Sequence, residues 1–338
     1  MSARLTLHFG RAADATARDG EEPREHADDC AASHPTASVT RPNFFIVGAP
    51  RCGTTALYDH LQQHPDVFMP YRKEPHFFGA DLPQRPPFLD LPRYMRLFAG
   101  AGDRKGVGEA TVWYLYSASA AEQIRGFNPE ARIIIMLRRP VEMMYSLHGL
   151  FLFTTWEDIP DFAAAVEAEA GRREGRRMPR NTWWPKALQY TWLADYAPHV
   201  ERYLELFGPD QVRVIIYDDF RADTAGTVRS VYEFLDLDPA FTPTVGVVNQ
   251  ARTARSMWLQ RRLYDPRFGT LLGRLPPRIG HVVWRALMRL NIRYEPRPPL
   301  DRTVDDMLTR RLEPAVQRLE ALLGRDLPAW HRAAGAAR

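Results

Sequence analysis

The chain has 338 residues, of which 45% are hydrophobic and 25% are charged. These values are typical of a globular protein with a substantial buried core. The formal net charge of +4 suits an anionic ligand but is too small to indicate nucleic-acid binding. No apolar run approaches the ~20 residues that span a bilayer, and residues 1–10 lack the pattern of a secretory signal.

The two cysteines bear on the redox compartment. Cys30 falls in a polar N-terminal stretch and Cys52 in a glycine-containing loop, so we expect no structural disulfide between them. Such sparse cysteine use is typical of a reducing compartment, and we expect a cytoplasmic protein. Residues 1–41 show no sustained apolar period and predict a disordered leader, followed by one domain over 42–332 and a tail over 333–338.

Three short apolar runs predict buried strands. The first covers 44–47 and ends at Gly48, the second covers 132–137 and the third covers 212–217. Helical periodicity follows the first strand and recurs later, over 187–207, 224–235 and 304–323. Buried strands that alternate with helices indicate an α/β, P-loop-like three-layer fold with a central parallel sheet flanked by helices.

The loop Gly48–Thr55 lies between the first strand and a helix, which is the layout of a phosphate-binding turn. The spacing from Gly48 to Gly53 matches the nucleotide P-loop. However, Thr54 stands where the P-loop lysine belongs, and the nearby cation is Arg51. This departure disfavours an NTPase. A tight strand-to-helix turn without a ligand is the structural alternative.

A second phosphate motif follows the second strand. Arg138 is followed by Pro140 and, eight positions after the arginine, by Ser146. Together with the run Pro50–Thr55, this pattern resembles the sulfotransferases that use 3′-phosphoadenosine 5′-phosphosulfate (PAPS). The resemblance implies that Arg138 and Ser146 hold the 3′-phosphate of the donor. It implies that the 5′-phosphosulfate is held by Arg51, Cys52, Gly53, Thr54 and Thr55.

Further blocks extend the resemblance from about residue 43 to residue 330. They cover 73–78, 108–116, 214–235 and 322–330, and the first is similar to bacterial and heparan-sulfate-type enzymes. Many family members have lysine where this chain has Arg51, which keeps the charge but changes its geometry. Heparan-sulfate enzymes have a lysine where this chain has Ala110, and this disfavours a polysaccharide acceptor.

The resemblance also implies a catalytic pair. Glu74 aligns with the general base of the heparan-sulfate-type enzymes, and His76 is the alternative base. Arg51 is expected to stabilise charge on the departing phosphate oxygen. The structural alternatives are an ion pair of Glu74 with Lys73 or Arg72, and a packed His76.

The adenine side of the donor site has no clean match. Our candidate is the segment 249–256, with Arg255 as the binding residue. The resemblance implies PAPS as the donor co-substrate, and we expect no metal and no nucleic-acid partner. The acceptor that it implies is a hydroxyl or amine of a small molecule, glycan or lipid. A non-catalytic nucleotide-binding protein and a P-loop nucleotide kinase are the competing functions.

Three sequence features bear on the acceptor. The segment 155–186 predicts a lid or insertion near the acceptor site. Tryptophans 113, 156, 183 and 184 form either a stacking wall for a ring or part of the core. Within 262–300, the basic and apolar stretch 277–293 predicts either peripheral membrane contact or a helix that packs on the core.

Overall fold

The structure, a computed structural model, describes residues 40–83, 89–244, 252–272, 274, 276–295 and 297–331. The predicted leader up to residue 39, the tail 333–338 and residues 249–251 of the predicted adenine-side segment lie outside the described residues.

The described strands form two sheets. The central sheet is parallel, with the order β2-β3-β1-β4-β5, and the second is an antiparallel pair. This confirms the predicted α/β class with a central parallel sheet. The strands are β1 Phe44–Gly48, β2 Val67–Phe68, β3 Gly106–Ala110, β4 Arg132–Leu137, β5 Val212–Ile216, β6 Arg252–Ala254 and β7 Ile292–Tyr294.

Helices cover both faces of the central sheet and form a smaller layer near β6 and β7. They are α1 Thr54–Leu61, α2 Leu91–Arg96, α3 Ala120–Phe127, α4 Pro140–Thr154, α5 Phe162–Glu167, α6 Glu169–Arg173, α7 Tyr190–Ala194, α8 Ala197–Phe207, α9 Tyr217–Ala222, α10 Thr224–Phe234, α11 Met257–Leu263, α12 Pro266–Leu272, α13 Pro277–Asn291 and α14 Arg302–Leu323. None of these helices is both long and apolar enough to cross a bilayer within the described residues.

Strand β3 was not predicted because its sequence, GVGEA, has no apolar run. Its glycines serve packing across the sheet. A Cβ on Gly108 would come within 2.1 Å of the Phe44 ring and 2.4 Å of the Met69 sulfur, so only glycine fits beside β1. Phe44 lies opposite Gly108 in the parallel register. The missing side chain at Gly108 therefore makes room for a buried aromatic ring on the neighbouring strand.

Two predicted boundaries were wrong. The predicted helix over 187–207 is interrupted, since α7 ends at Ala194 and α8 starts at Ala197 with Pro198 in its first turn. Proline is favoured in the first turn of a helix and disfavoured in its interior, because it lacks the backbone N–H and its ring clashes with the preceding turn. The third strand ends one residue early, and Tyr217 opens α9, whose first turn is acidic.

The strand order creates the place for a site. Strand β1 lies between β3 and β4, so the chain leaves β1 toward one edge of the sheet and later reaches the other edge through β4. In open parallel sheets, ligands bind at the carboxyl ends of the strands beside such a switch point. The segments that follow β1, β2, β3, β4 and β5 all start from this edge.

Candidate active site

The turn after β1 has the backbone of an anion-binding loop. Gly53 has a φ of +91°, a left-handed conformation, and directly precedes α1. A Cβ at this position would come within 2.9 Å of the Tyr217 ring, so both conformation and space call for glycine. The N–H groups of Thr54 and Thr55 belong to the first turn of α1, which favours a bound anion.

The structure brings the two predicted phosphate motifs into direct contact. The Nε of Arg51, on the turn after β1, donates to Oγ of Ser146 on α4 over 3.0 Å. These residues are 95 positions apart in the chain. A cation and a hydroxyl from separate motifs therefore share one site, as a ligand with two phosphates requires.

Arg138 lies at the end of β4 within the same edge. Its Nε and Nη2 donate to Glu142 Oε2 over 2.9 and 2.7 Å, and its guanidinium lies 4.9 Å from the centre of the Tyr217 ring. Burial lowers the pKa of Arg138, but the Glu142 carboxylate outweighs this effect and raises it. Arg138 is thus a permanent cation that Glu142 and Tyr217 hold in place.

A third arginine at this edge, Arg297, was missed by the sequence analysis. Burial and then the nearby charge of Arg51 lower its pKa to about 10, and Arg138 adds to the effect. Its Nη1 donates to the carbonyl of Tyr145 over 3.2 Å. The residue follows Glu295 and Pro296 in a proline-rich stretch with no period, so only the fold reveals it. The charges of Arg51 and Arg138 both act on Arg297, and three guanidinium groups at one edge of the sheet suit a multiply charged anion.

Two predicted donor-binding residues have different surroundings. Cys52 is fully buried, and burial raises the pKa of its thiol to about 12, so it offers the loop a backbone N–H rather than a thiolate. Arg255 is exposed directly after β6, and its Nε donates to the carbonyl of Ile292 on β7 over 3.4 Å. The cation that lies with Arg51 and Arg138 is therefore Arg297.

Glu74 and His76 lie on the segment that follows β2. Glu74 Oε1 accepts from Nζ of Lys73 over 3.0 Å, and its Oε2 lies 3.4 Å from Nε2 of His76. The Glu74 side chain is only 14% exposed, so the pair with Lys73 does not lie on a solvated turn. The N–H of Glu74 donates to the carbonyl of Ala110 over 2.9 Å, which ties the segment to the end of β3.

The charge state of Glu74 is set by its neighbours. Burial raises the pKa of a carboxyl group, but Lys73 and His76 outweigh burial and hold the pKa of Glu74 well below its ordinary value. Glu74 is therefore ionised at neutral pH, which is the state that a proton acceptor needs.

All three predicted catalytic residues have a left-handed backbone. The φ angles are 66° at Arg51, 58° at Glu74 and 53° at His76. A residue with a Cβ rarely adopts this conformation, and such strain clusters at functional sites. The surrounding fold thus fixes these side chains at some energetic cost.

Glu109 is a buried carboxyl group whose charge state is linked to that of Glu74 and which the sequence analysis did not single out. Glu109, on β3, accepts from the Tyr94 hydroxyl over 2.5 Å and from the Thr111 hydroxyl over 2.7 Å. Burial raises its pKa to about 7, and the charge of Glu74 adds to the rise while the hydroxyl donors oppose it. Glu109 thus anchors the end of β3 beneath the Glu74 segment.

The four tryptophans form a single cluster. The Trp183 ring lies 5.8 Å from Trp113, 5.6 Å from Trp156 and 5.7 Å from the His76 ring. Trp113 and Trp184 are buried in the core, whereas Trp156 and Trp183 are half-buried. Trp113 and Trp184 thus belong to the core, and Trp183 is the member of the cluster whose ring lies beside the predicted base.

The segment 155–186 carries Trp183 to this position. It contains α5 and α6 and is organised by a buried ion pair, in which Arg172 donates to Glu157 over 2.6 and 2.7 Å. Both side chains are fully buried. The segment packs against the body of the protein in this structure.

Comparison with known proteins agrees with this geometry. The family model described as a sulfotransferase domain matches residues 41–255. Carbohydrate sulfotransferase 15 from Mus musculus is 29% identical in an alignment of 251 residues, and the match covers 59% of this chain and 44% of that protein. Heparan sulfate glucosamine 3-O-sulfotransferase 6 from Mus musculus is 28% identical over 256 residues, 75% of this chain and 69% of that protein.

A solved structure extends the comparison to most of the chain. The sulfotransferase from Alicyclobacillus acidocaldarius is 31% identical, with a TM-score of 0.63, and the match covers 87% of this chain and all of that one. This chain spans less than half the length of carbohydrate sulfotransferase 15. The sequence resemblance is confirmed by a family match over more than half of the chain: the protein belongs to the sulfotransferase domain family.

Proposed function

We propose that this protein transfers a sulfuryl group from PAPS to a hydroxyl or amine of a glycan-type acceptor. The observation that carries the proposal is the hydrogen bond from Arg51 to Ser146. It joins the motif expected at the 5′-phosphosulfate to the motif expected at the 3′-phosphate. A donor with phosphates at both ends requires this junction, whereas an NTPase does not.

The donor site is built from residues with separate tasks. The first-turn N–H groups of α1 and the side chain of Arg51 would hold the 5′-phosphosulfate. Arg138 and Ser146 would hold the 3′-phosphate, and Arg297 lies close enough to Arg51 and Arg138 to add a third cation. PAPS supplies the sulfuryl group, and these residues supply the positive charge that stabilises the phosphate left behind.

The acceptor is activated by the loss of its proton. The sulfur–oxygen bond to the phosphate breaks, a sulfur–oxygen or sulfur–nitrogen bond to the acceptor forms, and the acceptor proton passes to Glu74. The ionised state of Glu74 and the contact of its Oε2 with His76 support this role. His76, 3.4 Å away, is the alternative acceptor of the same proton.

The acceptor class rests on the relatives and on the tryptophans. Both mouse relatives are named for carbohydrate or heparan sulfate substrates. Trp183 lies beside His76, and aromatic rings commonly stack on sugars. Heparan-sulfate enzymes have lysine at the position of Ala110. In this chain the carbonyl of Ala110 accepts a hydrogen bond from the N–H of Glu74, and this bond does not depend on the side chain.

A thermal-shift comparison tests the donor. At a concentration about 100 times its Kd, 3′-phosphoadenosine 5′-phosphate should raise the Tm by about 5 °C, because a ligand that binds only the folded state stabilises it by about 2.7 kcal/mol. ATP with Mg²⁺ should give a much smaller shift at the same concentration. An equal or larger shift with ATP and Mg²⁺ would favour the nucleotide kinase and contradict the proposal.

A further inference from the structure

The segment 252–294 has an unusual concentration of positive charge. It contains ten arginines and a single acidic residue, Asp265, which gives a formal charge of +9. Since the whole chain carries +4, the rest of the molecule is net negative. Eight of these arginines are exposed. The positive charge is therefore concentrated on one layer of the protein, which we call the basic layer.

The basic layer has its own small core. Leu263, Leu272, Trp284 and Met288 come from α11, α12 and α13 and pack together with Phe153 of α4. These contacts use the inner side of the three helices. They also attach the layer to α4, the helix that carries Ser146 in the candidate active site.

The outer side of α13 is apolar. Ile279, Val282 and Leu290 are 50%, 66% and 70% exposed. Their spacing of three and then eight residues places them on one face of a helix with about 3.6 residues per turn, opposite the buried Trp284. Arg285 and Arg289 are exposed along one border of this stripe.

A large aromatic ring adds to this exposed surface. Trp258, on α11, is 71% exposed, and the guanidinium of Arg262 lies 5.9 Å from the centre of its ring. Arginine beside an exposed tryptophan suits the boundary between lipid headgroups and acyl chains, where the ring is half in water.

We infer that the basic layer binds to the surface of an anionic lipid bilayer, with the stripe of Ile279, Val282 and Leu290 inserted among the headgroups. The positive charge favours an anionic surface, and the exposed apolar stripe favours a bilayer over other polyanions. An RNA or a sulfated glycan would be held by the arginines alone and gains nothing from an exposed apolar helix face. This inference does not depend on the sulfotransferase activity.

Flotation of the full chain with vesicles tests the inference. The protein should float with vesicles that contain phosphatidylglycerol and not with pure phosphatidylcholine, and added salt should weaken the binding. The double variant Val282→Asp and Leu290→Asp should lower the bound fraction by about tenfold or more, because each aspartate would have to enter the interface. The control is Met307→Asp, at a 41% exposed residue on α14, and it should float like the parent.

Each contrary outcome overturns the inference. Parent protein that stays with the soluble fraction at low salt would show that the layer does not bind anionic bilayers. A double variant that floats normally would show that charge alone acts, as expected for a polyanion site. If neither protein binds vesicles, and the parent is a dimer whereas the double variant is a monomer, then a second copy of the chain covers the stripe. The Tm and the binding of 3′-phosphoadenosine 5′-phosphate show that the double variant is folded.

Discussion

The proposed donor side and the proposed acceptor side of the site are built in different ways. On the donor side, the turn 48–53 and the start of α4 are short local motifs that follow two adjacent parallel strands. On the acceptor side, Glu74 follows β2, and Trp183 comes from a segment more than a hundred residues later. The donor side is thus set by backbone conformation and fixed spacing, whereas the acceptor side exists only after tertiary packing.

This difference explains how much of each side can be predicted from the sequence. A phosphate needs N–H groups and cations at positions that the backbone dictates, so the motif keeps its spacing. An acceptor pocket needs only shape and a few side chains, which many segments can supply. The chemistry was therefore predictable, while the acceptor is inferred from the relatives and from the Trp183 cluster.

The largest expected effect is on the donor side. The change Arg51→Ala removes the cation of the turn and its hydrogen bond to Ser146. Sulfate transfer should fall by about 10³-fold, in line with the loss of a group that stabilises transition-state charge. The kcat/KM from PAPS and calorimetric binding of 3′-phosphoadenosine 5′-phosphate measure the two contributions. Arg221→Ala, at an exposed arginine of α9, is the matched control and should behave like the parent.

The next effect distinguishes the two sides. Glu74→Gln should lower kcat by about 10²-fold, because a positioned base contributes at least that much, and should leave donor binding unchanged. The matched control is Glu122→Gln, at an exposed glutamate of α3. If Glu74→Gln keeps the parental kcat while His76→Ala loses it, then His76 is the base.

The pH profile tests how Glu74 is kept ionised. A base is active only when deprotonated, and the lowered pKa of Glu74 places the acid limb of kcat/KM below the range of an ordinary glutamate in the parent. Lys73→Met removes the largest effect that opposes burial, so the pKa of Glu74 rises. The acid limb should then move up by about one pH unit or more. If the acid limb of kcat/KM in Lys73→Met stays at the parental pH, then Lys73 does not control the ionisation of Glu74.

The smallest effect concerns the aromatic cluster. Trp183→Ala should raise the KM for the acceptor by about tenfold while donor binding stays constant, since one stacking contact is worth roughly 1 kcal/mol. Trp258→Ala, at an exposed tryptophan of the basic layer, should leave the acceptor KM unchanged. A rise in donor Kd with Trp183→Ala would instead show that the cluster supports the whole fold.

Much of the fold followed from apolar runs, and the exceptions have physical reasons. β1 and β4 consist of almost continuous apolar runs because they lie inside the central sheet with both faces buried, whereas β5, at the edge of the sheet, includes the exposed Arg213. β3 was not predicted because glycine replaces an apolar residue at Gly108, where a side chain would collide with the Phe44 ring. The interruption before α8 was missed because the apolar period of 187–207 outweighed the signal from Pro198.

The site followed the same rule. Arg51, Arg138 and Ser146 were predictable because their spacing along the chain reflects strands that end at one edge. The position of Arg297 was not predictable, because its proximity to the other arginines depends on how a proline-rich segment packs against α4. The raised pKa of Glu109 depends on complete burial, which no local pattern encodes.

Transfer of isotope-labelled sulfate from PAPS to a panel of oligosaccharides tests the central claim most directly. The parent protein should add the mass of one sulfuryl group to at least one glycan, and Arg51→Ala and Glu74→Gln should lower the rate of labelling by about 10³-fold and 10²-fold while Arg221→Ala keeps it. A protein that binds 3′-phosphoadenosine 5′-phosphate but transfers no label to any acceptor, or that labels a glycan equally well without Arg51, would contradict the account.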